Sequence, residues 1–513
     1  MPNTRFFGSQ VGGRKITPLS YTGSPLQLLR HDVFSAFSYY KSLPFIIWPI
    51  QPFGSGDLCE LYPSRGNLYD IFLHLVLLAL QLPFLISVPF WIFLPFPPLT
   101  FVLGIVGFWL VNRVVYQLIN GPEMKYQSDP KFAAARPEHA HEQWVLLNGV
   151  AVGRHWLTSN VNRLALTFGR PVLGVHNKTN GILFDVIQCL IQRNFNYATQ
   201  DVRDCYSTVK ELLYEEHLTK VVFILHSQGG IEGGMIIDWL LQEVPQDLLA
   251  KLEVYTFGNA ANHFNNPHSH LISQNASFLN PNLSSITQTR TQVHYHAPLA
   301  NGQNPDQHSR SHKSKSAGKA IRYIEHYAQT DDFVAKWGVL HFTSDLHLTD
   351  MGSRFMGRVF ERQGKGHQLN QHYLDNMFPL KKTEDGKGGI GGTGFLGAEE
   401  ENNEFMNSSM ELAIGGDKGD EREGMEMSYS GTHGEPLNRG EVDVLLRDMS
   451  PVSPASTRAA MKEFVNGKGL TNGTVGEKND FRVKDLSRLW LYRNGQRPKF
   501  DEVDIGISRM ATI

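Results

Sequence analysis

Apolar positions follow three different rhythms along this chain. The first is unbroken: between Asp70 and Arg113 no residue carries a formal charge, and Leu, Phe, Ile, Val and Trp dominate the interval. An uncharged run of that length matches lipid better than a water-facing protein surface. Pro95, Pro97 and Pro98 interrupt it, each removing a backbone donor and restricting the residue before it. The run therefore divides into two apolar helices, about 71–94 and about 99–119. Each is long enough to cross a bilayer, for which ~20 helical residues suffice. The alternative is a monotopic hairpin entering one leaflet, with the prolines at its deep turn, an option that Pro83 and Pro89 keep open. A third reading is a helix pair buried in a soluble protein.

Beyond a polar stretch holding Pro122, Pro130 and Pro137, a second rhythm begins. Short apolar runs at 144–147, 171–175, 221–225, 252–257 and 321–327 alternate with helical spacing across Phe184, Ile187, Leu190 and Ile191, then Tyr206, Val209, Leu212 and Leu213, then Met235, Ile236, Trp239 and Leu240. Val221–Leu225 is apolar at every position, as expected of a strand covered on both faces. Strands alternating with helices predict an α/β fold with a central, mostly parallel sheet over 138–381. The third rhythm is polar: Gly, Glu, Asp, Asn and Ser crowd 382–440, which predicts disorder because too little apolar area is present to offset chain ordering. Within the tail 441–513, short helical spacing returns at 441–448 and around 483–492, where Leu486, Leu489 and Trp490 are potential anchors.

Length and charge refine this division. At 513 residues the chain exceeds what one core usually organises, ~250 to 300 residues. The expected parts are a cytosol-facing segment 1–70, the hairpin 71–119, a linker 120–137, the sheet domain 138–381 with a lid-like insertion at 262–320, and the polar tail. Lys and Arg total 48 against 50 Asp and Glu, so net charge offers no case for nucleic acid as a partner. Cys59, Cys189 and Cys205 are too few for a disulfide scaffold and read as buried or free thiols of a reducing compartment. Sequons begin at Asn177, Asn275, Asn282, Asn407 and Asn472 and matter only if those segments are lumenal. The start lacks a secretory signal pattern, and Arg5, Arg14, Lys15, Arg30, Lys41, Arg113 and Lys125 place both hairpin flanks in the cytosol. An internal membrane, endoplasmic reticulum or lipid droplet, is the expected location.

The chemistry concentrates at the end of the buried strand, in His226-Ser227-Gln228-Gly229-Gly230. A sharp strand-to-helix turn there would lift the Ser227 hydroxyl clear of the sheet. Such a hydroxyl needs an imidazole within ~3 Å to accept its proton. The acid expected after the 321–327 strand is Asp332, with Asp331 second. The base expected after the last strand is His367, with His372 as the alternative. The Gln228 N–H and a second donor from Gly149 or Val150 would face the developing oxyanion. The bland alternatives are a helix N-cap for Ser227, a solvated loop carboxylate for either aspartate, an Asn-Gly turn at Gly149, and a packing or elbow-orienting role for His226.

Asn148-Gly149, the Ser227 elbow, Tyr255-Thr256-Phe257-Gly258-Asn259-Ala260-Ala261, Asp332-Phe333-Val334 and Gly366-His367 through Phe378 together resemble the α/β-hydrolase superfamily. More closely, the chain resembles fungal membrane-associated, lipase-like serine hydrolases, with motifs similar to class three lipases. The resemblance spans roughly 140–380. It implies an α/β-hydrolase fold and cleavage of an acyl ester through an acyl-enzyme, with no metal or other cofactor. Leu225 stands where the pattern has its first glycine, and Asn259-Ala260-Ala261 where class three lipases carry small-Pro-Arg.

The substrate this implies is a membrane lipid or another hydrophobic acyl ester. A noncatalytic scaffold recruiting a protein partner through its tail is the alternative, and a transporter a distant third with only two crossings. Seven histidines between His263 and His312 are irregularly spaced and lack acidic or cysteine companions, so a lid or pocket wall fits the insertion better than a metal site.

Overall fold

A computed structural model describes residues 4–10, 19–93, 97–269, 274, 319–344, 354–383, 394–400, 403–412 and 482–498. Its strands are β1 (Thr4–Phe7), β2 (Lys125–Gln127), β3 (Glu142–Leu147), β4 (Val172–Val175), β5 (Lys220–His226), β6 (Leu252–Phe257), β7 (Tyr323–Gln329), β8 (Arg358–Arg362), β9 (Leu380–Lys382), β10 (Phe395–Ala398) and β11 (Met410–Leu412). Nine of them form one sheet in the order β11-β1-β8-β7-β6-β5-β3-β4-β2, and β9 pairs with β10 apart from it. From β8 to β4 every neighbouring pair is parallel. The antiparallel joints lie outside, where β2 meets β4 and β1 meets β8. This is a mixed α/β sandwich compatible with the broad α/β-hydrolase-like architecture.

The alternation along β5 builds two cores. Val221, Phe223 and Leu225 pack in one cluster with Val202, Cys205 and Ile236. Val222 and Ile224 pack in the other with Leu157, Val161 and Leu164. The first face is covered by α5 (Ile182–Phe195), α6 (Gln200–Tyr214) and α7 (Gln228–Glu243), the second by α4 (Arg154–Phe168). The chain goes from β3 to β4 on one side and returns to place β5 on the other. A crevice opens at the carboxyl end of strands where the winding reverses in this way.

Several segments outside 138–381 are built into this fold. β1 is hydrogen-bonded to β8, β2 lies within the 120–137 stretch, and α1 (Pro25–Ser38) packs on α5. Disorder over 382–440 is corrected for residues 394–400 and 403–412. There Phe395, Phe405 and Met406 are buried, and β11 pairs with β1, so enough apolar area is present to order the chain. Val483, Leu486, Leu489, Trp490 and Tyr492 enter the α4-side core. Arg488 locks that return segment down, reaching Glu253 with Nε and Nη2 at 2.9 and 2.6 Å. The 441–448 helix expectation and most of the 262–320 insertion lie outside the described residues.

The apolar run forms α2 (Arg65–Phe93) and α3 (Pro98–Asn120), close to the expected 71–94 and 99–119. α2 continues through Pro83 and Pro89. Both helices are long and apolar enough to cross a membrane, and only 22% and 6% of their most apolar windows are buried. Cys59, Cys189 and Cys205 are free and buried.

Candidate active site

Ser227 sits between β5 and α7 with φ 58° and ψ −120°. A non-glycine residue in that conformation stores ~1 to 3 kcal/mol of strain and persists only where its surroundings enforce it. Here its N–H donates to Phe257 O at 3.1 Å, while its carbonyl accepts from Gly230 N at 2.9 Å and Ala260 N at 3.1 Å. Leu225, in the place of the usual glycine, is accommodated one helical turn on: a Cβ on Gly233 would meet Leu225 Cδ1 at 2.3 Å. α7 can thus approach β5 without that glycine.

The loop after β3 closes on the serine. A Cβ on Gly149 would stand 2.4 Å from Ser227 Cβ and 3.0 Å from its Oγ, so only a bare backbone fits there. The buried Asn148 amide fixes this loop, donating to Gly149 O at 3.1 Å and Asn177 O at 2.9 Å and accepting from Asn177 N at 2.9 Å. Asp185 Oδ2 accepts from Ala151 N at 3.0 Å. Gln228 opens α7, whose first N–H groups have no intrahelical acceptor and carry the positive end of the helix dipole. Gly149, Gln228 and Ser227 are therefore gathered at one end of the β3–β5 switch.

On the other side of β5, Asp332 and His367 are a pair. His367 Nδ1–H donates to Asp332 Oδ2 at 2.8 Å. The same oxygen accepts from Tyr373 Oη at 2.7 Å, and Oδ1 accepts from Val334 N at 2.8 Å. Burial alone would raise the Asp332 carboxyl. The His367 imidazole and its hydrogen bond, then Tyr373 and Val334, bring it below the usual carboxylate range. Burial, reinforced by Asp332, pushes the Tyr373 phenol well above its ordinary value, so it remains a donor. The pair rests on Gly258, which has φ +52°.

His226 ties this pair to the elbow. Its Nε2–H donates to the His367 carbonyl at 2.8 Å, and the two rings stack with centroids 4.8 Å apart. Burial, helped by the neighbouring His367, drops the His226 imidazole to about 3, so it is neutral.

The two remaining candidates have other partners. Asp331 is partly exposed and pairs with Lys336 at 3.3 Å. His372 has both nitrogens engaged: Gln368 N donates to Nδ1 at 2.9 Å, and Nε2–H donates to Pro49 O at 2.7 Å. Glu60 works beside it, accepting from Asn370 N at 2.8 Å and Gln371 N at 3.1 Å. Burial raises the Glu60 carboxyl to about 7 against the opposing pull of those bonds. Sequence reasoning assigned no role to Tyr373 or Glu60. Tyr373 lies in a periodic segment whose spacing signals only a helix, and Glu60 lies more than three hundred residues from the loop it holds.

Among the described residues, no group of three or more His, Cys, Asp and Glu side chains is arranged to hold a metal. His263 instead bonds Asp238 at 2.9 Å and stacks on Tyr21. No protein-family model matches the chain, and neither the curated proteins nor the solved structures contain a significant match to it.

Proposed function

We propose that the protein is a membrane-associated serine hydrolase that cleaves a lipid-like acyl ester. The observation that supports this reading is the buried Asp332–His367 hydrogen bond of 2.8 Å, linked through the His226–His367 hydrogen bond to the residue preceding the strained strand-to-helix turn at Ser227. In the proposed reaction Ser227 Oγ attacks the acyl carbon as His367 Nε2 takes its proton. Asp332 holds the Nδ1–H tautomer and stabilises the imidazolium that forms. N–H groups at Gln228 and at Gly149 or Val150 receive the oxyanion, a contribution worth several kcal/mol in such sites. His367 then protonates the departing alcohol, and water, activated by the same imidazole, releases the acid from the acyl-serine.

Kinship with the α/β-hydrolases, and with lipase-like members in particular, belongs to this proposal. It is supported by the elbow after a central strand and by the order serine, acid, histidine along the chain. The bilayer assignment is supported by the exposed apolar faces of α2 and α3. The test is ester hydrolysis by full-length protein reconstituted in vesicles, across acyl lengths, for wild type and Ser227→Ala. Loss of turnover in the variant is expected, with preference for acyl chains that partition into lipid. Equal hydrolysis by both proteins would remove the proposed nucleophile.

A further inference from the structure

Two helices outside the hairpin are inside out. In α5 the inward residues include Asp185, Gln192, Arg193 and Asn194, all buried, whereas Val186, Ile187, Ile191 and Phe195 are 40 to 47% exposed. α1 repeats the pattern: Asp32 and Ser35 are buried, while Leu26, Phe34 and Phe37 are 63 to 70% exposed. A surface helix in water normally turns its apolar stripe to the core and its polar face outward. Here the inward polar groups find partners in the protein, with Arg193 Nε and Asn194 Oδ1 left unpaired. Arg193 donates to Asp32 Oδ1 at 2.8 Å, Ala260 O at 2.8 Å and Trp337 O at 3.0 Å, and Asn194 donates to Asp32 Oδ2 at 2.8 Å. The outward apolar groups have no such explanation in water, and their number exceeds the scattered exposure of an ordinary surface.

These faces adjoin the hairpin. Phe184 of α5 meets Phe108 of α3 edge-on, with ring centroids 6.1 Å apart, and Gln81 of α2 donates to Asn180 O at 2.5 Å just before α5. At its other end α5 is clamped to α1 through Asp32. α3, α5 and α1 therefore follow one another in contact.

We propose that α1 and α5 lie in the plane of a lipid bilayer beside the hairpin, with their apolar residues in the boundary between headgroups and acyl chains. This rests on the membrane reading of α2 and α3 and extends it. Helices with one apolar and one polar face bind at that depth. Here the polar face is occupied by protein instead of water. It also touches the candidate site, since Asp185 holds Ala151 N and Gln192 accepts from the Gln228 side chain at 2.9 Å. Lipid contact at α5 thus bears on the loop and the helix start flanking Ser227. A bilayer ester would reach the serine from the membrane plane.

The test places a single environment-sensitive fluorophore on the full-length, vesicle-reconstituted protein at Phe34→Cys, Ile187→Cys, Phe90→Cys in the hairpin, or at the exposed position Glu211→Cys of α6. The native cysteines are buried, which favours labelling at the introduced site. Quenching by lipid-borne nitroxides is then compared with quenching by aqueous iodide. The proposal predicts that positions 34, 187 and 90 lose emission to the lipid quencher and position 211 only to iodide. Lipid quenching at 90 with positions 34 and 187 behaving like 211 would overturn it while leaving the hairpin reading intact. Absence of lipid quenching at 90, 34 and 187 would overturn both. Protection of 34 and 187 from both quenchers would assign the face to a protein partner, such as a second copy, and overturn the lipid assignment.

Discussion

Tyr373 and Asp332 share a buried hydrogen bond of 2.7 Å, made to the carboxylate oxygen that also accepts the His367 Nδ1–H. The phenol thereby helps hold the carboxyl below its ordinary value in a site where burial alone would raise it. Tyr373→Phe removes that donor and is expected to cost roughly 1.5 to 3 kcal/mol, the range for bonds to charged groups. Asp332 is held low in the folded state, so its stabilisation is present above its ordinary value near ~3.9 and disappears as pH falls through the lower folded value. The stability gap between wild type and Tyr373→Phe should therefore be full at neutral pH and shrink on acidification below ~4. Denaturation in detergent micelles across pH measures it.

Gly258 supports the same pair from below. A Cβ there would stand 2.8 Å from Asp332 Oδ2 and 2.9 Å from His367 Nδ1, at a φ of +52° that side chains disfavour. Gly258→Ala must displace the acid, the imidazole or both. Misplacement of about 1 Å costs roughly a hundredfold in rate, so kcat for ester hydrolysis should fall by about that factor. Unchanged kcat in a folded variant would argue against a catalytic use of the pair.

His367 and His372 should separate cleanly. His367→Ala removes the proposed base and is expected to lower acylation by more than ~10⁴. His372→Ala removes the clamp between the histidine loop and Pro49, and a loss of roughly tenfold or less is expected. Single-turnover acylation distinguishes the two, and a reversed order would transfer the base to His372.

Glu60 makes the histidine loop sensitive to pH through stability. Its carboxyl is raised to about 7 when folded from an ordinary 4.5, so the folded state binds the proton more tightly than the unfolded state. Its stabilising contribution is complete below the ordinary value and is lost as pH rises through the folded one, on the order of 3 kcal/mol across that window. Glu60→Gln cannot titrate. Its stability should decline less than that of wild type between pH 5 and 7, as measured by denaturation at each pH.

Much of this architecture was legible because local rhythm and burial coincide in it. The alternation of strands and helices, the apolar hairpin and the buried β5 were predicted within a few residues, and Leu252–Phe257 was predicted at its observed limits. The turn at Ser227 was legible for the same reason: a fully buried strand running into a glycine-bearing helix leaves little choice of geometry. What escaped depends on distant parts of the chain. β1 and β11 are only four and three residues long and acquire their structure by pairing with each other, β1 also with β8. No periodicity can announce them. Helical spacing found the Ile187 and Ile191 stripe of α5 but not its direction, because a stripe records which residues are alike and not which side faces water. Asp331 and Asp332 are neighbours after β7 with different partners, Lys336 for the first and His367 for the second.

The most direct measurement is covalent capture. Full-length protein in membranes is treated with a fluorophosphonate, and the modified residue is mapped by mass spectrometry in wild type, Ser227→Ala and His367→Ala. An adduct confined to Ser227, absent from Ser227→Ala and formed more than ~10³-fold more slowly in His367→Ala, is the predicted result. Folded wild-type protein that leaves Ser227 unmodified, or that labels as fast without the His367 imidazole as with it, would contradict the account.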